Sequence, residues 1–275
     1  HPGRARGVER TVIGRRRHRR SGPEARGFTV TELLVVTAIT GLLLGLLMPA
    51  LGSARGTGRT LQSLSQLRQM AVAAQQYADQ WDRWPPGVWY ESEGGGLRTV
   101  AWDWRENAAG DPVPGPLWAW TDHPEAVLQC PEYEGPSDAG ADPATGYNYN
   151  TSHLGGEAPY GTIGFDAMRW GVRPGATRRA AATAIFGAGG RRGGTNKFMR
   201  SPWNPESLDP WTLLSGGQGF RYQGGRTVIA FLDGHVETTG RAWLPDHVDP
   251  ATADLVMGYP DNGFLAPADA VYDPR

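Results

Sequence analysis

Across residues 27–48, GFTVTELLVVTAITGLLLGLLM, the only ionisable side chain is Glu32. A carboxylate at the centre of a bilayer costs roughly 2.5–3.5 kcal/mol on insertion scales, and less near the end of a span, where Glu32 stands. It either rests at an interface and does little, or it meets a cation. The second group with chemical potential is Asp233-Gly234-His235-Val236-Glu237. Asp-Gly between apolar runs is a strong hairpin signal, with positive φ expected at both turn positions. The same residues could hold a cation such as Ca2+, with Asp233 and Glu237 as candidate ligands beside another oxygen donor. The turn is the plainer reading. The remaining constellations are thin. Trp102 and Trp104, and Trp118 and Trp120, would place two indoles on one strand face each, suited to core filling or, less readily, to stacking sugars. His123, His153, His235 and His247 lack metal-ligand spacing. Cys130 is the only cysteine, which excludes an intramolecular disulfide and cysteine-only zinc or dithiol chemistry. Neither a phosphate-binding glycine loop nor a nucleophile elbow is present, so no enzyme is expected.

The elements that position these residues begin with charge. Residues 1–27 hold nine arginines against Glu9 and Glu24. The whole chain has a net charge of −1, so the remainder is acidic. An acidic body with a cationic tip argues against nucleic acid, which needs its basic surface on the folded domain. It fits a topogenic tip, because arginines beside an apolar span keep that end in the cytoplasm. Residues 28–48 match the ~20 residues that cross the hydrocarbon core as a helix. Residues 49–82 extend it: Leu61, Leu64, Leu67, Met70 or Ala71, Ala74, Tyr77 or Ala78 and Trp81 form an apolar stripe at spacings of three and four. Between the two lie Gly41, Gly45, Pro49, Gly52, Gly56 and Gly58, where a kink at Pro49 or a melted turn is expected. Residues 83–275 carry 19 of the 22 prolines and 29 of the 39 glycines. All eleven tryptophans lie at or after Trp81, enough aromatic mass for a core. The expected class is α+β: a long N-terminal helix packed on a loop-rich, antiparallel-sheet head. Strands are expected at 97–104, 117–120, 147–151, 183–186, 227–232 and 235–238, with a short helix at 251–257.

Gly27-Phe28-Thr29-Val30-Thr31-Glu32-Leu33-Leu34-Val35 closely resembles the processing site of type IV prepilins and type II secretion pseudopilins. The resemblance implies cleavage by a prepilin peptidase between Gly27 and Phe28, N-methylation of the new terminus at Phe28, and Glu32 as the fifth mature residue. Pro49 would be the twenty-second, where the family commonly has proline. It also implies a reason for the carboxylate. The α-amino group freed at Phe28 is a cation near neutrality, its reference pKa being about 8. In a filament core Glu32 could pair with the Phe28 ammonium of a neighbouring subunit and fix its registry. A second resemblance lies in the head. A large bacterial group of prepilin-like proteins ends in a histidine, nine residues and Asp-Gly, usually continuing as His-Val. Asp233-Gly234-His235-Val236 matches, while Gln223 stands in the histidine's place. Cys130-Pro131 and Gly146-Tyr147-Asn148-Tyr149-Asn150 also resemble that group, more loosely.

The resemblances imply a structural subunit with a cytoplasmic leader, one inner-membrane span and a periplasmic or extracellular head. Its partners would be the prepilin peptidase and other pilin or pseudopilin subunits, in a type IV pilus or a secretion pseudopilus. The alternative is a secreted binding or hydrolytic domain, released by signal peptidase after Ala54 from a basic, apolar signal peptide.

Overall fold

The structure is a computed structural model and describes residues 27–93, 96–118, 127, 129–136, 144–159, 161–164, 168–203 and 214–275. His123, Trp120 and the arginine-rich leader lie outside the described residues. The chain divides into two units, His1–Pro49 and Ala50–Arg275. A single helix, α1 (Val30–Trp81), spans the boundary.

From Ala50 onward α1 is amphipathic and belongs to the head. Leu67, Met70, Ala71, Ala74 and Ala78 are buried, the 3–4 spacing that places one face on a core. The expected stripe holds in this middle and fails at its ends, since Leu61 and Trp81 are 63% and 57% exposed. Trp81 lies against Tyr77 instead, with ring centroids 6.3 Å apart. The helix stops where Asp82 takes a left-handed φ of 49°, just before Pro85-Pro86.

The helix packs on a five-stranded sheet of order β10–β9–β6–β5–β7. Its strands are β5 (Tyr147–Asn150), β6 (Ala184–Ala188), β7 (Phe198–Met199), β9 (Thr227–Phe231) and β10 (Val236–Thr239). All pairings are antiparallel except β5 with β7. Strands β5, β6 and β9 are buried at every position, because both sheet faces are covered. Val228, Ala230, Tyr147, Tyr149 and Phe186 join the helix residues and Trp102 in one core. On the other face Ile229, Phe231, Ala184 and Met199 meet Leu265 and Tyr272. Side chains alternate across a strand, so the apolar run 228–232 feeds two cores. A four-stranded antiparallel meander, β1 (Val88–Glu93), β2 (Gly96–Ala101), β3 (Trp104–Glu106) and β4 (Pro112–Pro114), forms a second sheet. A two-stranded ribbon pairs β8 (Gln218–Gly219) with β11 (Asn262–Gly263). The short helix α2 (Pro250–Met257) is capped by Asp249, whose carboxylate accepts from the Thr252 amide at 2.9 Å, and ends on left-handed Gly258. The architecture is α+β with antiparallel sheets in the head.

Four expectations are corrected. The melted-turn form of one expectation is corrected: the helix is continuous from Gly41 to Gly58, with Pro49 inside it. Propensity is a weak prior, and helical segments on both sides make continuation cooperative. The strand expected over 97–104 breaks after Ala101. Asp103 is buried there and ion-paired with the equally buried Lys197, and the Trp102 indole donates to the Lys197 carbonyl at 3.1 Å. Trp102 and Trp104 therefore do not share a strand face; both, with Trp118, are core residues. At 117–120 the described part is a 3₁₀ turn, Pro116–Trp118, closed by the Trp118 amide on the Gly115 carbonyl at 3.1 Å. Finally, the Asp233-Gly234 turn needs positive φ only at Gly234 (86°). Four residues, Leu232 to His235, separate the strands, and Phe231 and His235 close the loop through the Phe231 amide and the His235 carbonyl at 2.9 Å.

Candidate functional site

Thr29 and Glu32 build the start of α1 together. The Thr29 amide and hydroxyl both donate to the Glu32 carboxylate, at 2.9 and 2.7 Å, and the Glu32 amide donates to the Thr29 hydroxyl at 3.2 Å. This reciprocal pair is a capping box. It satisfies two of the donors that every helix start leaves open. The Thr-x-x-Glu spacing was readable in the sequence and supplies a local role for Glu32 besides any intermolecular one. Immediately before it, Gly27 and Phe28 are non-helical and exposed, Phe28 to 75%. Beyond it, every residue from Val30 to Pro49 is exposed, and leucines, valines and isoleucine cover all sides of the helix. The hydroxyls of Thr37 and Thr40 turn inward to the Leu34 and Val36 carbonyls, at 3.0 and 2.7 Å. Polar groups folded back on their own helix are what a hydrocarbon surrounding requires. By length and composition this helix could cross a membrane.

The C-terminal motif lies along the part of α1 that belongs to the head. Gln223 donates from Nε2 to the Ser53 hydroxyl at 3.1 Å. At the other end of β9 the Leu232 carbonyl accepts from Gln75 Nε2 at 2.6 Å, next to Gly234. Between these ends, Tyr147 donates to Gln66 at 2.6 Å and Tyr222 lies 3.2 Å from the Cys130 thiol. Burial first, and then the neighbouring Cys130, raises the pKa of both phenols, which keeps them protonated. The motif thus brackets some 22 residues of helix, about 33 Å at 1.5 Å per residue. Cys130 and Gly146, far apart in the chain, also meet: Gly146 has φ 103° and a Cβ there would strike the Cys130 side chain.

At the turn, Asp233 accepts from the His235 amide at 3.1 Å and contacts its Nδ1 at 2.5 Å, while the His235 ring stacks on Phe231 at 4.3 Å. Burial works to raise the Asp233 pKa, but the His235 hydrogen bonds hold it below its ordinary value. Glu237 is exposed on β10. Among the described residues no three histidine, cysteine, aspartate or glutamate side chains converge as metal ligands. The structure brings Asp233 and His235 together and leaves Glu237 outside that pair.

Comparison of the chain with protein-family models, curated proteins and solved structures gives no match.

One cleft had no counterpart in any linear motif. It has a volume of about 420 Å³ and is lined by Thr151 and His153 after β5, Trp170, Trp203, Asp269 and Arg275, with neighbouring backbone. His153 and Thr151 are buried, and among the described residues His153 Nε2 and Thr151 Oγ1 have no hydrogen-bond partner. Four segments far apart in the chain supply it, and no linear spacing marks such a set.

Proposed function

We propose that this chain is a pilin-like structural subunit, processed between Gly27 and Phe28 and anchored by residues 28–48 in the inner membrane before assembly into a pilus or secretion pseudopilus. The observation that carries the reading is the start of α1: an exposed Gly27 and Phe28 directly ahead of a helix that is apolar on every side. That arrangement offers a peptidase an accessible peptide bond at the membrane surface and offers neighbouring subunits a helix to pack against. The basic leader keeps this end cytoplasmic, which puts the head on the far side. Glu32 then serves twice. It caps its own helix, and in an assembled filament it faces the Phe28 ammonium of an adjacent subunit.

In the alternative, release after Ala54, the cut would fall inside α1, beside Ser53, whose hydroxyl accepts from Gln223. The test of the subunit reading is Glu32→Ala in a host carrying a prepilin peptidase and an assembly system. Leader removal and membrane insertion should persist while cross-linking to neighbouring subunits falls at least about tenfold, the loss of a buried charge partner. Undiminished cross-linking would remove Glu32 from filament registry.

A further inference from the structure

We propose that the cleft lined by Thr151, His153, Trp170, Trp203, Asp269 and Arg275 is a binding site for a short neutral saccharide. Its volume of about 420 Å³ lies within the roughly 300–1,000 Å³ typical of small-molecule sites. Trp203 is 51% exposed yet fixed in place. Its indole N–H donates to the Pro267 carbonyl at 3.1 Å and its ring packs on His247 with centroids 4.0 Å apart. An exposed but immobilised tryptophan gives contact area with little ordering cost on binding. Trp170, half-buried, is packed beneath the Arg83 guanidinium at 4.5 Å from its ring. Flat indole surfaces suit the C–H faces of a pyranose ring.

The polar side of the cleft matches the other half of a sugar. Thr151 Oγ1 and His153 Nε2 are buried without a hydrogen-bond partner among the described residues, an arrangement that costs about 1–3 kcal/mol per group unless something bonds to it. Threonine hydroxyl and neutral imidazole can each give or take a hydrogen bond from a hydroxyl group. Two of the charged side chains in the wall, beside Arg169, already hold partners within the protein. Arg275 forks onto Asp273 at 2.9 and 3.0 Å, and Asp269 accepts from the Ser201 hydroxyl. An ionic ligand at Arg275 or Asp269 would compete with these contacts, whereas a polyol does not.

The experiment uses the full chain in phospholipid nanodiscs free of glycolipid and sugar-based detergent. Cellobiose, N,N′-diacetylchitobiose and a uronic-acid disaccharide are titrated in, with saturation-transfer NMR and indole fluorescence as readouts. At least one neutral disaccharide should bind saturably. Trp203→Ala, which removes an exposed side chain, should weaken that binding at least about tenfold. His153→Gln should weaken it too, while Trp81→Ala, an exposed tryptophan elsewhere, should leave it unchanged. No saturable binding of either neutral sugar overturns the proposal. So does binding that Trp203→Ala does not affect, or a preference for the uronic-acid ligand. None of these outcomes bears on processing at Phe28, which is tested separately.

Discussion

Glu32 shows how one side chain can carry two explanations at once. Its carboxylate completes a capping box with Thr29, whose loss typically costs 0.5–2 kcal/mol of helix stability. That spacing lay in plain view in the sequence, inside an apolar run where a lone carboxylate points first to a membrane or a partner. His153 presents the reverse case, because nothing in its local sequence marks it. Burial lowers its pKa, against the pull of Asp273 and Asp269 and with the help of Arg275 and Arg169. The unfolded chain, with a histidine pKa of about 6.5, therefore binds a proton before the folded one does. Stability should fall as pH drops below that value and level off once the folded-state pKa is passed. Thermal unfolding of the wild type and His153→Gln between about pH 7 and pH 5 checks this. The variant should show the shallower pH dependence, and equal slopes would mean that His153 does not drive it.

At the scale of elements, the head's strands were legible wherever β-branched and aromatic residues ran between turn signals, as at 147–151, 183–186 and 227–232. Of the meander only β2 was legible, within the strand expected at 97–104, since 112–114 is Pro-Val-Pro and 104–106 has only three residues. Helix α1 was legible in its stripe but not in its continuity, because glycine and proline count against a helix locally while cooperativity and docking act over its whole length. The glycines of that region therefore remain a cost. Gly58 is exposed, and no described residue lies within 4 Å of the place a methyl group would take there. Gly58→Ala should stabilise the protein by about 1 kcal/mol. Gly234→Ala should destabilise it by more than the ~0.4–1 kcal/mol that a strain-free glycine replacement gains, because its φ is 86° in the turn that docks beside Gln75. Denaturant midpoints of the two variants should move in opposite directions. A stabilised Gly234→Ala would contradict the turn geometry.

For the whole molecule, the α+β class and the single apolar N-terminal helix were readable from composition and pattern. The cleft was not, because its walls come together only when the chain folds. The motif running from Gln223 to Gly234 acquires a physical meaning at this scale: its two ends fasten the head to α1 at Ser53 and Gln75. Glutamine at 223 retains the hydrogen bond that such a fastening needs. Whether the chain is a filament subunit turns on the other end of α1, where the mature amino terminus reports how it was processed. Protein taken from membranes of a host with a prepilin peptidase would be analysed by mass spectrometry. The chain should begin with N-methyl-phenylalanine at Phe28. A chain beginning at Arg55 would contradict it, removing the apolar helix and leaving the tryptophan-rich head as a secreted domain.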